Sequence, residues 1–183
     1  MSFIYRQPKD PPKHLDVEGA RQHSRFTRTT LFRIAVGVLA AVILLVNLFT
    51  HVMPIVRYYG DGMEPSLRGG QTLVLLKTQN VKEGDVIAFY YNNKVLVRRV
   101  ICEGGEQVTI ENDGTVSVNG RELEEPYLNE KSIGQCNLTF PYYVQNGYVF
   151  VLGDNRSIAM DSRLAEIGTV PLERIVGKVL LKF

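Results

Sequence analysis

The chain has 183 residues, 45% of them hydrophobic and 22% charged, with a net charge of +2. That length suits one domain plus an appendage, and the composition excludes a disordered protein. No Arg-rich stripe or aromatic-basic interleaving is present, which argues against nucleic-acid binding, and two cysteines are too few for a disulfide scaffold.

Residues 1–33 carry seven of the 21 Lys/Arg and three of the 19 Asp/Glu, so the basic excess sits wholly in this segment. Its Pro-rich start predicts a disordered tail over residues 1–30 that turns helical toward its end. Residues 34–56, Ile34 to Val56, then contain no Lys, Arg, Asp or Glu. A helix of that length reaches about 35 Å, enough for a hydrocarbon core of about 30 Å. The long preceding tail, the length of the run and the lack of an A-x-A-like site argue against a cleaved signal peptide. A buried core helix rarely stays uncharged for so long. The expectation is one transmembrane anchor at 34–56. Arg21, Arg25, Arg28 and Arg33 precede it and only Arg57 follows closely. The positive-inside rule then places a cytoplasmic tail at 1–33 and an extracytoplasmic domain at 57–183, in a single-pass protein of the plasma membrane. Tyr58 and Tyr59 would sit at the outer bilayer interface.

From residue 70 the pattern becomes period two with β-branched runs. "TLVLLK", "DVIAFYY", "KVLVRRVI", "QVTIEN", "TVSVNG", "GYVFVLG" and "RIVGKVLLKF" each read as a strand, separated by Gly/Asn/Asp turns. Asp113-Gly114 marks a hairpin tip. Residues 126–142 read as an extended loop. The prediction is an all-β domain of coiled sheets, curled into a partial barrel that hides its edges.

All three histidines (His14, His23, His51) precede this domain, so a Ser-His triad or a His-based zinc site is not expected in it, and no metal or cofactor is predicted. Cys102 and Cys136 leave two readings open: a bridge in an oxidising compartment, or one buried thiol and one loop thiol.

Four stretches carry the functional reading: "GDGMEPSL" (60–67), "KEGDVIAFY" (82–90), "VLVRRVI" (95–101) and "VLGDNRSIAMDSR" (151–163), with "VNGRELEEPYL" (118–128) between them. In that order and spacing the chain resembles type I signal peptidases, membrane-anchored serine endopeptidases that remove leader peptides from exported proteins. The resemblance runs from the anchor to the last strand. It implies a serine nucleophile in S-M-x-P-T-L, a lysine base in K-R-V, and a second serine in the G-D-N-R to D-S-R box that orients the lysine. Here Met63, Pro65 and Leu67 match, but the nucleophile position is Gly62. Arg99 and Val100 match, but the base position is Arg98. Gly153, Asp154, Asn155, Arg156, Asp161, Ser162 and Arg163 match, but the orienting position is Ala159.

Each departure has a chemical meaning. Gly62 has no side chain to attack a carbonyl. Arg98 keeps its proton at any working pH and is no general base. Ala159 cannot hydrogen-bond. Ser66, with Lys94 or Lys77 as base, is the substitute to weigh, against a structural hydroxyl that satisfies turn backbone. An Asp61–Arg98 ion pair would fill the old site. Asp154 or Asp161 paired with Arg156 or Arg163 would brace the strands beneath it. The resemblance also implies a groove for an extended peptide, walled by residues 59–63, 85–89 and 95–98, with Asp61, Met63, Pro65, Val97 and Arg98 at its surface. Such recognition needs main-chain hydrogen bonds and pockets, not a nucleophile.

The expected function is that of an inactive homologue acting as a membrane-anchored peptide-binding or assembly factor. Degenerate members of this family assist sortase-linked pili of Gram-positive bacteria, so a pilin-like exported protein and a sortase are the implied partners. The alternative is an active signal peptidase with a displaced nucleophile, or a chain whose dyad was mutated by design. A third reading is a structural β module with a closed groove.

Overall fold

Pro54 separates two kinds of structure. The computed structural model of the chain describes residues 17–183, so the expected disorder of the tail lies, up to residue 16, outside the described residues. From Val17 the backbone is helical: α1 spans Val17–Val52. Its last bond runs from the Met53 amide to the Phe49 carbonyl, at 2.8 Å. Proline offers no N–H and pushes the residue before it out of the helical region. The apolar run therefore stops being helical at Val52, short of the expected Val56, and Ile55–Arg57 form strand β1.

The chain divides into two units, residues 1–47 and 48–183. In the first, Arg28–Asn47 is long and apolar enough to cross a membrane, with mean hydropathy 2.4 and none of it buried in protein. Leu31, Phe32, Leu39 and Leu44 stand exposed along it.

In the second unit the period-two runs become strands. Besides β1 these are β2 (Thr72–Leu76), β3 (Val86–Tyr91), β4 (Lys94–Glu103), β5 (Gln107–Ile110), β6 (Val116–Val118), β7 (Arg121–Glu122), β8 (Tyr142–Tyr143), β9 (Tyr148–Leu152), β10 (Val170–Pro171) and β11 (Ile175–Lys182). A seven-stranded sheet has the order β1-β2-β11-β3-β4-β9-β10, and a four-stranded sheet the order β7-β6-β5-β8. Every pairing is antiparallel. The domain is all-β, as expected, but no barrel closes. The outer strands β1 and β10 hold three and two residues, and Pro171 has no N–H to extend a ladder.

The β5–β6 hairpin turns at Gly114, where φ is +89° and a Cβ would lie 2.3 Å from the Ser132 amide nitrogen. Conformation and space both demand glycine there. β9 is buried almost throughout, from Val149 to Leu152, because both of its faces are covered.

One apolar cluster lies under the site described below: Tyr58, Met63, Leu67, Leu73, Leu75, Ala88 and Val97. Tyr58 is thus a core residue and not an interfacial one. Its ring packs in this cluster while its hydroxyl accepts the Met63 amide at 3.1 Å. Tyr59 is exposed, with the Arg57 guanidinium over its ring.

Both cysteines are free, Cys102 buried in β4 and Cys136 half-buried in the loop. Burial pushes the Cys102 thiol from its ordinary 9.0 up to about 12. The folded chain keeps it neutral while the unfolded chain ionises it, so its contribution is intact below pH 9 and falls as pH climbs toward 12. Urea titrations at about pH 8 and 10 should show a loss on the order of 1 kcal/mol from this group, and Cys102→Ala should have the shallower pH slope.

Candidate functional site

Positions 62, 98 and 159 come together around Gly153. The β3–β4 register sets Arg98 opposite Ile87, and the β4–β9 register sets Arg99 opposite Leu152, next to Gly153. The Asn155 amide donates to the Gly62 carbonyl at 3.1 Å and ties the 60–67 loop to the 153–163 loop. A Cβ on Gly153 would lie 2.2 Å from the Ala159 Cβ, 2.5 Å from the Gly62 oxygen and 3.5 Å from the Arg98 Cδ. Only glycine fits at that crossing.

Gly62 and Arg98 face each other. A Cβ on Gly62 would meet Nη2 of Arg98 at 3.2 Å, and Cζ and Nη1 at 3.4 Å each. The φ of Gly62 is not in the left-handed region, so its backbone would accept a side chain. A side chain beginning there would press tightly against the guanidinium. Arg98 is 6% exposed. Its Nε donates to the Met160 carbonyl at 2.8 Å and its Nη1 to the Val97 carbonyl. Burial draws its pKa down from the ordinary arginine value, while Asp161 and Tyr58 oppose that shift. The Tyr58 hydroxyl is raised, chiefly by its own burial.

The expected Asp61–Arg98 ion pair is not formed. Asp61 is exposed and turned toward Gly69, while the guanidinium is turned to the two carbonyls. Of the other residues expected along a groove, Pro65 is exposed, and Met63 and Val97 are sealed in the core.

The D-S-R box is a set of braces. Asp161 accepts from Nε and Nη2 of Arg163, both at 2.8 Å, and from the Gly153 amide at 2.9 Å. Ser162 exchanges hydrogen bonds with Val151: its hydroxyl accepts the Val151 amide and its amide donates to the Val151 carbonyl. Arg163 also reaches the Ile133 carbonyl at 2.7 Å and pins the 131–138 loop. The pairing expected for Asp161 with Arg163 is present. Asp154 instead pairs with Arg99 at 2.6 Å, and Arg156 with Glu125.

Glu125 and Tyr127 were missed as bracing residues. The Tyr127 hydroxyl donates to Glu125 at 2.7 Å, and its ring lies 3.9 Å under the Arg99 guanidinium. The E-P-Y match was visible in the sequence, but Glu125 finds its arginine partner 31 residues away.

Ser66 is half-buried, and its hydroxyl lies 3.3 Å from Nη2 of Arg99, a donor that cannot take a proton. The Lys182 amine reaches the Ser66 carbonyl, not its hydroxyl. Both border a cavity of about 390 Å³ that also touches Asp85 and Lys178. Lys77 and Lys94 are exposed. Among the described residues no group of three or more His, Cys, Asp or Glu is arranged to hold a metal ion.

An apolar helix long enough to cross a membrane thus precedes an all-β domain whose G-D-N-R to D-S-R box braces positions 62 and 98. The family model for signal peptidase, peptidase S26, matches residues 29–183, and the chain belongs to that family. It is 35% identical over 144 residues to signal peptidase IB of Staphylococcus aureus (strain COL), covering 68% of this chain and 74% of that one. Over 131 residues it is 35% identical to signal peptidase I T of Bacillus subtilis (strain 168), covering 64% and 67%. A crystal structure of a signal peptidase I from Enterococcus faecalis V583 is similar at 33% identity, with a TM-score of 0.47, covering 56% of this chain and 97% of that one. The apolar helix and the family together make this a membrane-anchored protein.

The braces differ in worth by burial. Asp161→Asn leaves the buried Arg163 guanidinium without its carboxylate and should cost about 3–5 kcal/mol in urea unfolding. Glu83→Ala breaks the exposed pair with Arg121 and should cost about 1 kcal/mol or less.

Proposed function

We propose that this S26 member has given up peptide-bond cleavage and binds extended segments of exported proteins as a membrane-anchored assembly factor. The observation that carries the reading is the contact between positions 62 and 98. Serine attack needs a hydroxyl and a group to receive its proton. Position 62 offers no atom beyond Cα, and the guanidinium at position 98 is never a proton acceptor in water. The buried carbonyl contacts of Arg98 support a fixed, filled site. Ser66 is a weak substitute, because its neighbour is Arg99 and not a neutral amine.

Loss of the dyad leaves the β-strand edges and backbone groups that recognise an extended chain. Sortase-dependent pilus biogenesis is the specific role this reading favours, with a pilin-like protein or a sortase as partner. Arg28 and Arg33 on one side of the apolar segment and Arg57 on the other support a cytoplasmic N-terminus and an extracytoplasmic β domain.

A reporter bearing a signal peptide tests the reading. The purified chain should leave it intact, at the rate of buffer alone. The Gly62→Ser, Arg98→Lys, Ala159→Ser variant should cleave it, since removing the guanidinium at position 98 frees the space that a hydroxymethyl group at position 62 needs. Cleavage by the unaltered chain, abolished by Ser66→Ala, would overturn the proposal in favour of a displaced nucleophile. Photo-crosslinking from position 61 in cells should trap an exported protein or a sortase; a clean negative beside a working control counts against the assembly role.

A further inference from the structure

Ion pairing around the site leaves one guanidinium over. Four guanidiniums gather there: Arg98, Arg99, Arg156 and Arg163. Three carboxylates answer them, each in an ion pair: Asp154 with Arg99, Glu125 with Arg156, Asp161 with Arg163. Arg98, itself buried, has none among the described residues. Asp161, the carboxylate nearest in influence, already accepts three bonds from Arg163, two from its guanidinium and one from its amide, and one from the Gly153 amide through Oδ2. The Met160 and Val97 carbonyls satisfy Nε and Nη1 as hydrogen-bond donors but bring no charge. A buried cation left in that state is costly, and a carboxylate delivered to it is correspondingly favoured.

The approach to Arg98 is over Gly62. Nη2 faces the position that a side chain at 62 would take. Gly60 and Asp61 beside it are exposed, and Asp61 turns its carboxylate toward Gly69. Ile158 and Met160 are exposed apolar residues of the loop whose Asn155 amide donates to the Gly62 carbonyl. A peptide group must therefore lie over Gly62 to reach the guanidinium.

We infer that Arg98 is an anion receptor and that the chain selects peptides presenting a carboxylate at position 62, from a free C-terminus or from an acidic side chain. The inference rests on the peptide-binding reading and deepens it. Glycine at 62 is then a requirement of binding, since a methyl group there would stand 3.2 Å from Nη2 and cover the donor.

The test uses the full chain in detergent and a fluorescein-labelled octapeptide of alternating Val and Ser ending in Ala. Three forms are titrated by anisotropy: the C-terminal acid, the C-terminal amide, and the amide with Asp as last residue. The acid should bind at least about tenfold more tightly than the plain amide. The Asp form tells which source is used, matching the acid if a side chain serves and the plain amide if only a terminus does. Arg98→Gln should erase the preference. Should that variant fail to fold, Gly62→Ala keeps the arginine, blocks the approach and should also erase it. Equal binding of acid and amide, or a preference that persists in a folded Arg98→Gln or Gly62→Ala chain, overturns the inference and leaves peptide binding standing. No binding of any form overturns both.

Discussion

The arrangement turns on the guanidinium of Arg98 lying against the bare Cα of Gly62. Everything nearby accommodates that contact. Gly153 must lack a side chain because Ala159, the Gly62 carbonyl and the arginine stem converge on it. Met160 turns its carbonyl to Nε, and the arginine is left only 6% exposed. In such surroundings a lysine amine would readily shed its proton, whereas a guanidinium does not. The same pocket that activates one base therefore immobilises the other.

Around this centre the fold spends three buried ion pairs on rigidity. Asp161 joins the D-S-R loop to Gly153, Asp154 joins β4 to the loop after β9, and Glu125 holds Arg156 from the second sheet's side. Among the described residues every buried side-chain nitrogen and oxygen has a hydrogen-bond partner. Networks of this kind hold one geometry more than they add stability. The frame is thus kept around a centre with no hydroxyl or amine at positions 62, 98 and 159.

Much of this was legible in the sequence. Seven strands, β2 to β6, β9 and β11, and the turn at Gly114 announced themselves through alternation and turn chemistry. Motif register alone set Gly62, Arg98 and Ala159 in correspondence. What escaped was what depends on distant partners. Asp154 finds Arg99, 55 positions away, and not the neighbouring Arg156. Two-residue strands such as β7 and β10 have no period to read. Tyr58 looked interfacial by its place after an apolar run, yet Pro54 had already turned the chain into the β domain. The open sheets follow from short outer strands, whose lengths local propensity does not set.

A double-mutant cycle between positions 62 and 98, read by urea unfolding, probes the central contact most directly. Gly62→Ala should destabilise the chain that carries Arg98 and cost little in an Arg98→Ala background, giving a coupling of about 1 kcal/mol or more. Additive effects, with no coupling between the two positions, would contradict it.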